Sequence, residues 1–295
     1  MVKASTKRVL QQGLEVEPSK RPLPNLKEID ARRQMIDGTG EPVLQAAPRS
    51  SFVDVVGTKY PVPDWLPTEE YTDEVLGTIK SGKEAEVFLV ERFSPTKSCL
   101  LALKRYKDPS QRAFHRNQMY TEGRKFKETR VRRAVQRGTR VGKAALSADW
   151  GGHEIGYLRQ LWLAGADVPY PVEGEGGEML MQFIGDDERT GPRLVDARLT
   201  RQEAEPIFEQ ILDNIDLFAR EGIVHGDLSA YNVLVWQGKA WIIDFPQAAA
   251  ISLNPHAIDL LERDLFNVCN YFRKFGLTKD PGEELARILG DIIFV

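Results

Sequence analysis

The sequence predicts an α+β chain in two lobes, a small β-rich one followed by a larger, mostly helical one. Three observations predict it. Residues 74–103 hold three successive runs of β-forming residues, with a glycine-bearing turn after the first. Residues 201–221 and 260–272 place apolar side chains at three- and four-residue spacing, the period of a helix with one buried face. Between those helices lie an acid, an amide and a second acid, Asp227, Asn232 and Asp244.

The elements follow in order. Residues 1–65 are polar and proline-containing, without sustained periodicity, and read as a largely flexible extension. Pro61, Pro63 and Pro67 bracket Trp65, which reads as an anchor onto the folded body. Val75–Ile79 leads to a turn at Ser81-Gly82-Lys83, and Ala85–Val90 and Cys99–Lys104 supply two more strands. Ile155, Leu158, Leu161 and Trp162 mark a helix that starts near Glu154. Met179–Ile184 reads as an apolar strand ending at Gly185-Asp186-Asp187. Thr200 with Glu203 three residues on is a capping box for the 201–221 helix, and Gly222 is its stop. Val233–Trp236 and Ala240–Ile243 read as two strands around Gln237-Gly238-Lys239. Leu260, Leu261, Leu265, Phe266, Val268, Cys269 and Phe272 mark a long helix, and a last one runs from about Gly282. The predicted divisions are 1–65 for the extension, 66–184 for the first lobe with a basic flexible loop at about 107–146, and 185–295 for the second lobe.

The 295 residues suffice for a sizeable core. No apolar run of membrane-spanning length is present, and the polar N-terminus lacks the core of a signal peptide. Cys99 and Cys269 lie among apolar residues, so buried free thiols in a reducing cytoplasm are expected. The net charge of −3 conceals an asymmetry. Residues 104–143 carry fourteen Lys or Arg and three acids, a net +11 against −14 for the remainder. A solvated mobile insertion is the plain explanation, because like charges repel and resist packing. Contact with an anionic partner such as RNA is the functional one. Few aromatics are interleaved, so a base-stacking platform is weakly supported.

Asp227 and Asn232 are five residues apart, and Asp244 follows twelve later. All three offer oxygen, which suits Mg²⁺. The order and spacing resemble those of kinase-like phosphotransferases, where the first Asp receives the proton of the attacking hydroxyl and the Asn and second Asp hold metal. Asp and Asn are also common in ordinary turns. The flanking strand pair and the position of Asp244 at the end of its second strand favour the catalytic reading. Lys104 ends the third strand, in a pattern Leu101-Ala102-Leu103-Lys104 that matches the kinase strand with its lysine.

SGKEAEV at 81–87, HGDLSxxN at 225–232, Ile243-Asp244-Phe245-Pro246-Gln247, and Asn254 to Asp264 together resemble the RIO family of atypical serine/threonine protein kinases. The likeness covers roughly residues 74–278 and is nearest a prokaryotic-like branch without a full N-terminal winged helix. Trp150, four residues before Glu154, and the place of the basic segment fit the same family. The resemblance implies a two-lobed protein-kinase-like fold, with ATP and Mg²⁺ in the cleft and Mn²⁺ as an alternative metal. It implies Asp227 as catalytic base, Asn232 and Asp244 as metal ligands, Lys104 on the phosphates and Glu154 orienting it. It implies the Ser81-Gly82-Lys83 turn over the phosphates, Ala102 and Leu234 on the two faces of adenine, and a hinge from Met181 through Phe183 to Ile184. Two departures from ordinary protein kinases stand out. Gly226 replaces the Arg of the usual HRD segment, which removes the docking point for a phosphorylated activation loop. Pro246 replaces the Gly of Asp-Phe-Gly, so this segment is expected to be rigid.

Three functions compete. The first is an ATP-dependent serine/threonine protein kinase of RIO type, whose protein substrate is not named by the sequence. The second is a small-molecule kinase resembling aminoglycoside or choline phosphotransferases, which share the HGDxxxxN segment. The third is a non-catalytic ATP-binding assembly factor or ATPase switch, acting on a ribosomal particle or RNA through residues 104–143.

Overall fold

The computed structural model describes residues 61–107, 154–175, 177–187 and 189–293. The expected extension up to residue 60, nearly all of the basic segment, and Trp150 lie outside the described residues. The chain divides into two compact units. One runs to Lys104 and takes in Gly185–Arg189, and the other holds Arg105–Ile184 and the chain from Thr190 onward. The elements form an α+β fold with antiparallel strand pairs.

In the first unit β1 (Thr72–Ser81), β2 (Ala85–Phe93) and β3 (Ser98–Tyr106) are neighbours in chain order. β1 pairs with β2 antiparallel, with register shifts between Val75 and Gly77 and between Thr78 and Lys80. In β2 the run Phe88–Arg92 is buried without alternation, so both faces are covered. The buried Arg92 is tolerable because its guanidinium forks onto Asp73 at 2.7 Å and lies 3.8 Å over the Tyr71 ring. Ahead of β1, Leu66, Pro67 and Tyr71 are buried and Trp65 is half-buried. Lys97 Nζ donates to Asp64 O at 2.6 Å and fixes that segment to the β2–β3 turn.

The second unit begins with the last two residues of β3. Tyr106 N–H donates to Gly177 O at 2.9 Å, beside β5 (Glu178–Gln182), which pairs with β4 (Pro171–Glu175). β4 does not figure in the sequence expectations, since Pro171 and Gly174 read as breakers. Gly174 instead marks a close approach: a Cβ there would sit 2.8 Å from Ile155 Cδ1. Ile155 belongs to α1, helical over 154–163, whose Ile155, Leu158 and Leu161 are buried as their spacing predicts.

α2 (Arg201–Arg220) starts at the expected capping box. Glu203 N–H donates to Thr200 Oγ1 at 3.3 Å, and Thr200 N–H donates to Glu203 Oε2 at 2.8 Å. It ends before Gly222, which has φ +72. Then come β6 (Ile223–Val224), β7 (Val233–Trp236), β8 (Lys239–Ile242), β9 (Ala249–Ala250), α3 (Ala257–Phe272) and α4 (Pro281–Ile293). The β7–β8 loop is two residues, Gln237 and Gly238, with φ of 52 and 74, so Lys239 belongs to the strand and not to the turn. The β6–β9 pair, two residues a side, is too short to leave a periodic signal. α4 begins at Pro281, where Asp280 Oδ1 accepts the Gly282 and Glu283 N–H groups.

The core of this unit lies among α1, α2, α3 and the small strands, with Phe208 stacked on Phe272 at 4.5 Å between ring centroids. Asp167, just after α1, ties the layers together. It accepts from Gln210 and Asn214 of α2 and from Lys239 of β8, at 2.7, 2.8 and 2.6 Å. Partial burial raises its pKa, but these donors outweigh that and hold the carboxyl below its ordinary value. Cys99 is half-buried, not buried as expected, whereas Cys269 is buried; both are free. Among the described residues no helix is long and apolar enough to cross a membrane.

Replacing Thr200 by Ala removes one half of the capping box and should lower the unfolding free energy by about 1 kcal/mol, measured by urea titration. An unchanged midpoint would show that the cap contributes nothing here.

Candidate active site

The site is built on three short segments of the second unit. The loop after β6 brings His225, Gly226 and Asp227; β7 opens just after Asn232; and β8 hands over to Asp244. Hydrogen bonds knit them. Asn232 Nδ2 donates to Asp227 O at 2.8 Å, and Ile243 N–H donates to Asn232 O at 2.9 Å. His225, buried, lies 3.1 Å through Nε2 from Ile243 O and accepts Asp227 N–H at Nδ1, 3.3 Å. With Nδ1 accepting, Nε2 is the ring nitrogen that donates, and the imidazole bridges the two acidic segments. Its ring packs 4.6 Å from that of Phe245, which in turn meets Phe218 of α2.

Asp227 is exposed, Asn232 and Asp244 are half-buried. Asp244 takes φ +73, a left-handed conformation that Asp tolerates better than most residues but that still stores strain. The following amide is held: Phe245 N–H donates to Glu154 Oε1 at 2.9 Å, and Tyr106 Oη–H donates to Glu154 Oε2. Glu154 is 1% exposed. Its carboxylate thus binds the segment of Asp244 directly.

Gly226 has a steric reason to be glycine. It has φ +79, and a Cβ would lie 2.6 Å from Gln247 O. The absent Arg of the usual motif is therefore not a simple loss, since no side chain fits there. α3 supplies what holds the loop. Asp264 Oδ2 accepts Gly226 N–H at 2.7 Å and Oδ1 accepts Leu228 N–H at 2.8 Å. Arg263 donates to Gly226 O, and Asn267 Nδ2 to Leu228 O at 3.1 Å. Burial pushes the Asp264 pKa up to about 7; the two N–H donors and Arg263 pull it down, and Asp227 adds to the rise. None of these three α3 residues is a sequence-level candidate. A signal existed for Asp264, which shares one helical stripe with the apolar Leu260 and Val268, where a charge needs a buried partner.

The remaining candidates divide between the units. Lys104, Ala102 and the Ser81-Gly82-Lys83 turn belong to the first; Glu154, Met181, Phe183, Ile184 and Leu234 belong to the second. Lys104 is only 5% exposed, unlike an ordinary strand lysine, and Ala102 is buried beside it on the strand. Gly82 N–H donates to Ala85 O at 2.9 Å and Ser81 Oγ to Glu86 Oε1 at 2.9 Å, in an exposed hairpin. Met181 is in β5, packed on the core, but the strand ends at Gln182. Phe183 and Ile184 lie beyond it, both buried, where Ile184 O accepts Gly191 N–H at 2.8 Å. The expected strand to Ile184 is thus two residues too long. Leu234 faces Trp241 across the hairpin and is half-buried.

The oxygens fit a hard divalent cation. Asn232 directs its amide nitrogen to Asp227 O, so its amide oxygen is the atom that could ligate a metal, and Asp244 would add a carboxylate. Among the described residues no group of three His, Cys, Asp or Glu forms a closed metal cage. Mg²⁺ is commonly held by one or two protein oxygens together with substrate phosphates.

Comparison with known proteins identifies the family. Residues 87–284 match the family model of the RIO domain. The chain is 33% identical over 216 residues to serine/threonine-protein kinase RIO1 of Caenorhabditis elegans, covering 73% of this chain and 40% of that protein. It is 31% identical over 156 residues to the RIO-type serine/threonine-protein kinase Rio1 of Thermoplasma acidophilum, covering 51% of this chain and 81% of the relative. It thus spans well under half the length of the C. elegans relative. The crystal structure of the Rio2 kinase-ADP/Mg²⁺-phosphoaspartate complex from Chaetomium thermophilum superimposes with a TM-score of 0.52 at 19% identity, over 72% of this chain and 61% of that one. The fold is therefore protein-kinase-like. Within that class the chain belongs to the RIO family.

Two outcomes are expected. Gly226→Ala forces a Cβ into a left-handed backbone against Gln247 O and should cost about 2 kcal/mol or more, read by denaturant unfolding; a neutral change would mean the loop is free to move. The second concerns pH. The Asp264 pKa rises from 3.8 to about 7 on folding, so its contribution to stability is full at low pH and is lost as pH rises through that window. The unfolding free energy of wild type minus that of Asp264→Asn should fall between pH 4 and 7, and a flat difference would contradict the assignment.

Proposed function

We propose that this chain is an ATP- and Mg²⁺-dependent phosphotransferase of RIO type, acting as a serine/threonine protein kinase. The observation that supports it most is the hydrogen-bonded scaffold that brings Asp227, Asn232 and Asp244 onto adjoining backbone. In this reading Asp227, at the exposed tip of the loop, orients the acceptor hydroxyl and takes its proton as the phosphoryl group is transferred. His225 and Asp264 fix the backbone on either side of Asp227 and so limit where its carboxylate can point. The Asn232 amide oxygen and the Asp244 carboxylate would hold Mg²⁺, whose charge would offset that of the phosphates. Lys104 would pair with the α- and β-phosphates, and Ser81-Gly82-Lys83 would cover them. Ala102, Leu234, Met181, Phe183 and Ile184 would receive the adenine. Two free thiols suit a cytoplasmic setting.

A second outcome of the same chemistry is an ATPase switch in ribosome or RNA assembly. One solved relative is the Rio2 kinase-ADP/Mg²⁺-phosphoaspartate complex; an aspartate of this chain that took the γ-phosphoryl group from ATP, releasing ADP, and then lost it to water as phosphate would make ATP hydrolysis, not transfer to a protein, the net reaction. The +11 of residues 104–143 supports an RNA-bearing partner.

Turnover of labelled ATP by the purified protein separates these. Label on Ser or Thr indicates a protein kinase, a hydroxylamine-labile label indicates an acyl phosphate, and free phosphate alone indicates an ATPase. Asp227→Ala should reduce turnover about 10²–10⁴-fold with nucleotide binding kept, whereas Asp244→Ala should weaken binding of Mg²⁺–ATP itself. Full turnover in the Asp227 variant would remove its assigned role.

A further inference from the structure

We propose that Tyr106 is a positioning residue for Asp244, acting through Glu154; its functional consequence rests on the phosphotransferase reading above. Asp244 has φ +73, a strained backbone conformation that persists only where the neighbouring peptides are held. The following peptide's N–H, on Phe245, donates to Glu154 Oε1 at 2.9 Å. A glutamate reaches its target through several rotatable bonds, and aiming it requires a second point of contact. Tyr106 provides one by donating its phenolic hydroxyl to the other oxygen, Oε2.

Each end of this relay is firmly seated. Tyr106 is 7% exposed, and its backbone N–H bonds Gly177 O while the neighbouring Arg105 side chain bonds Glu178 of β5. Its ring is therefore placed by a strand, not by a loop. Glu154 is 1% exposed, where a carboxylate requires donors to offset lost hydration. α1 has little room to shift toward β4, because Ile155 already occupies the space that a Cβ on Gly174 would need. The phenol–carboxylate bond is charge-assisted and so among the stronger ones available to a neutral donor. Glu154 is thus the middle of a relay from the end of β3 to the amide beside Asp244, and the hydroxyl of Tyr106 sets its orientation.

Tyr106→Phe keeps the ring and removes only the hydroxyl. Amide hydrogen exchange on the full-length protein without ligand reads the relay directly. Exchange at Phe245 should speed up about tenfold, while Gly226 and Leu228, held by Asp264, should stay within about twofold. ADP affinity is then measured by calorimetry with Mg²⁺ and with EDTA. The gain in affinity conferred by Mg²⁺ should fall about fivefold in the variant, with affinity in EDTA unchanged. Unaltered Phe245 exchange, or equal acceleration at all three amides, would overturn the proposal, as would an undiminished Mg²⁺ gain. If wild type shows no Mg²⁺-dependent gain at all, the phosphotransferase reading fails instead, and the exchange comparison still decides whether Tyr106 positions this segment.

Discussion

The candidate site depends on a buried carboxylate that is not itself a candidate for chemistry. Asp264, 1% exposed, accepts two backbone N–H groups from the loop that carries Asp227. A loop with a left-handed glycine has few conformational restraints of its own, and two N–H groups turned inward would be costly without an acceptor. α3 therefore does what the loop sequence cannot. It converts a flexible turn into a platform of fixed direction, reinforced by Arg263 and Asn267 on the two carbonyls. The position of Asp227 follows from that platform, and that of Asn232 follows from its bond to Asp227 O.

A second support acts from another side. Glu154 joins the Phe245 amide to the end of β3, and His225 joins the Asp227 and Ile243 backbones. Three buried polar groups, Asp264, His225 and Glu154, each satisfy at least two partners. Fully satisfied groups of this kind narrow the backbone to one arrangement, whereas partly satisfied ones would destabilise it.

Much of this was visible in the sequence, and the reasons differ by element. The α2 helix could be read from cap to stop because Thr200, Glu203 and Gly222 act locally and the apolar stripe runs without a break. That Asp227, Asn232 and Asp244 lie on adjoining backbone could be read because their spacing is set by one loop and one hairpin. β4 was not, since Pro171 and Gly174 hide a strand whose glycine serves a neighbour distant in sequence. Asp264, Arg263, Asn267 and Tyr106 were not, since their roles arise from contacts spanning tens of residues. Gly226 reads in the sequence as a missing arginine, and its surroundings add a steric reason for glycine that only the fold shows.

Between Asp244 and α3 the chain has almost no slack. Val224 pairs with Ala249, Ile223 with Ala250, and Ile251 N–H reaches Gly222 O at 2.8 Å. The stretch is stitched back to the start of the loop within a few residues of leaving it. A segment sewn back in this way can swing outward only by breaking the β6–β9 pair, and with it the strand from which the loop sets out.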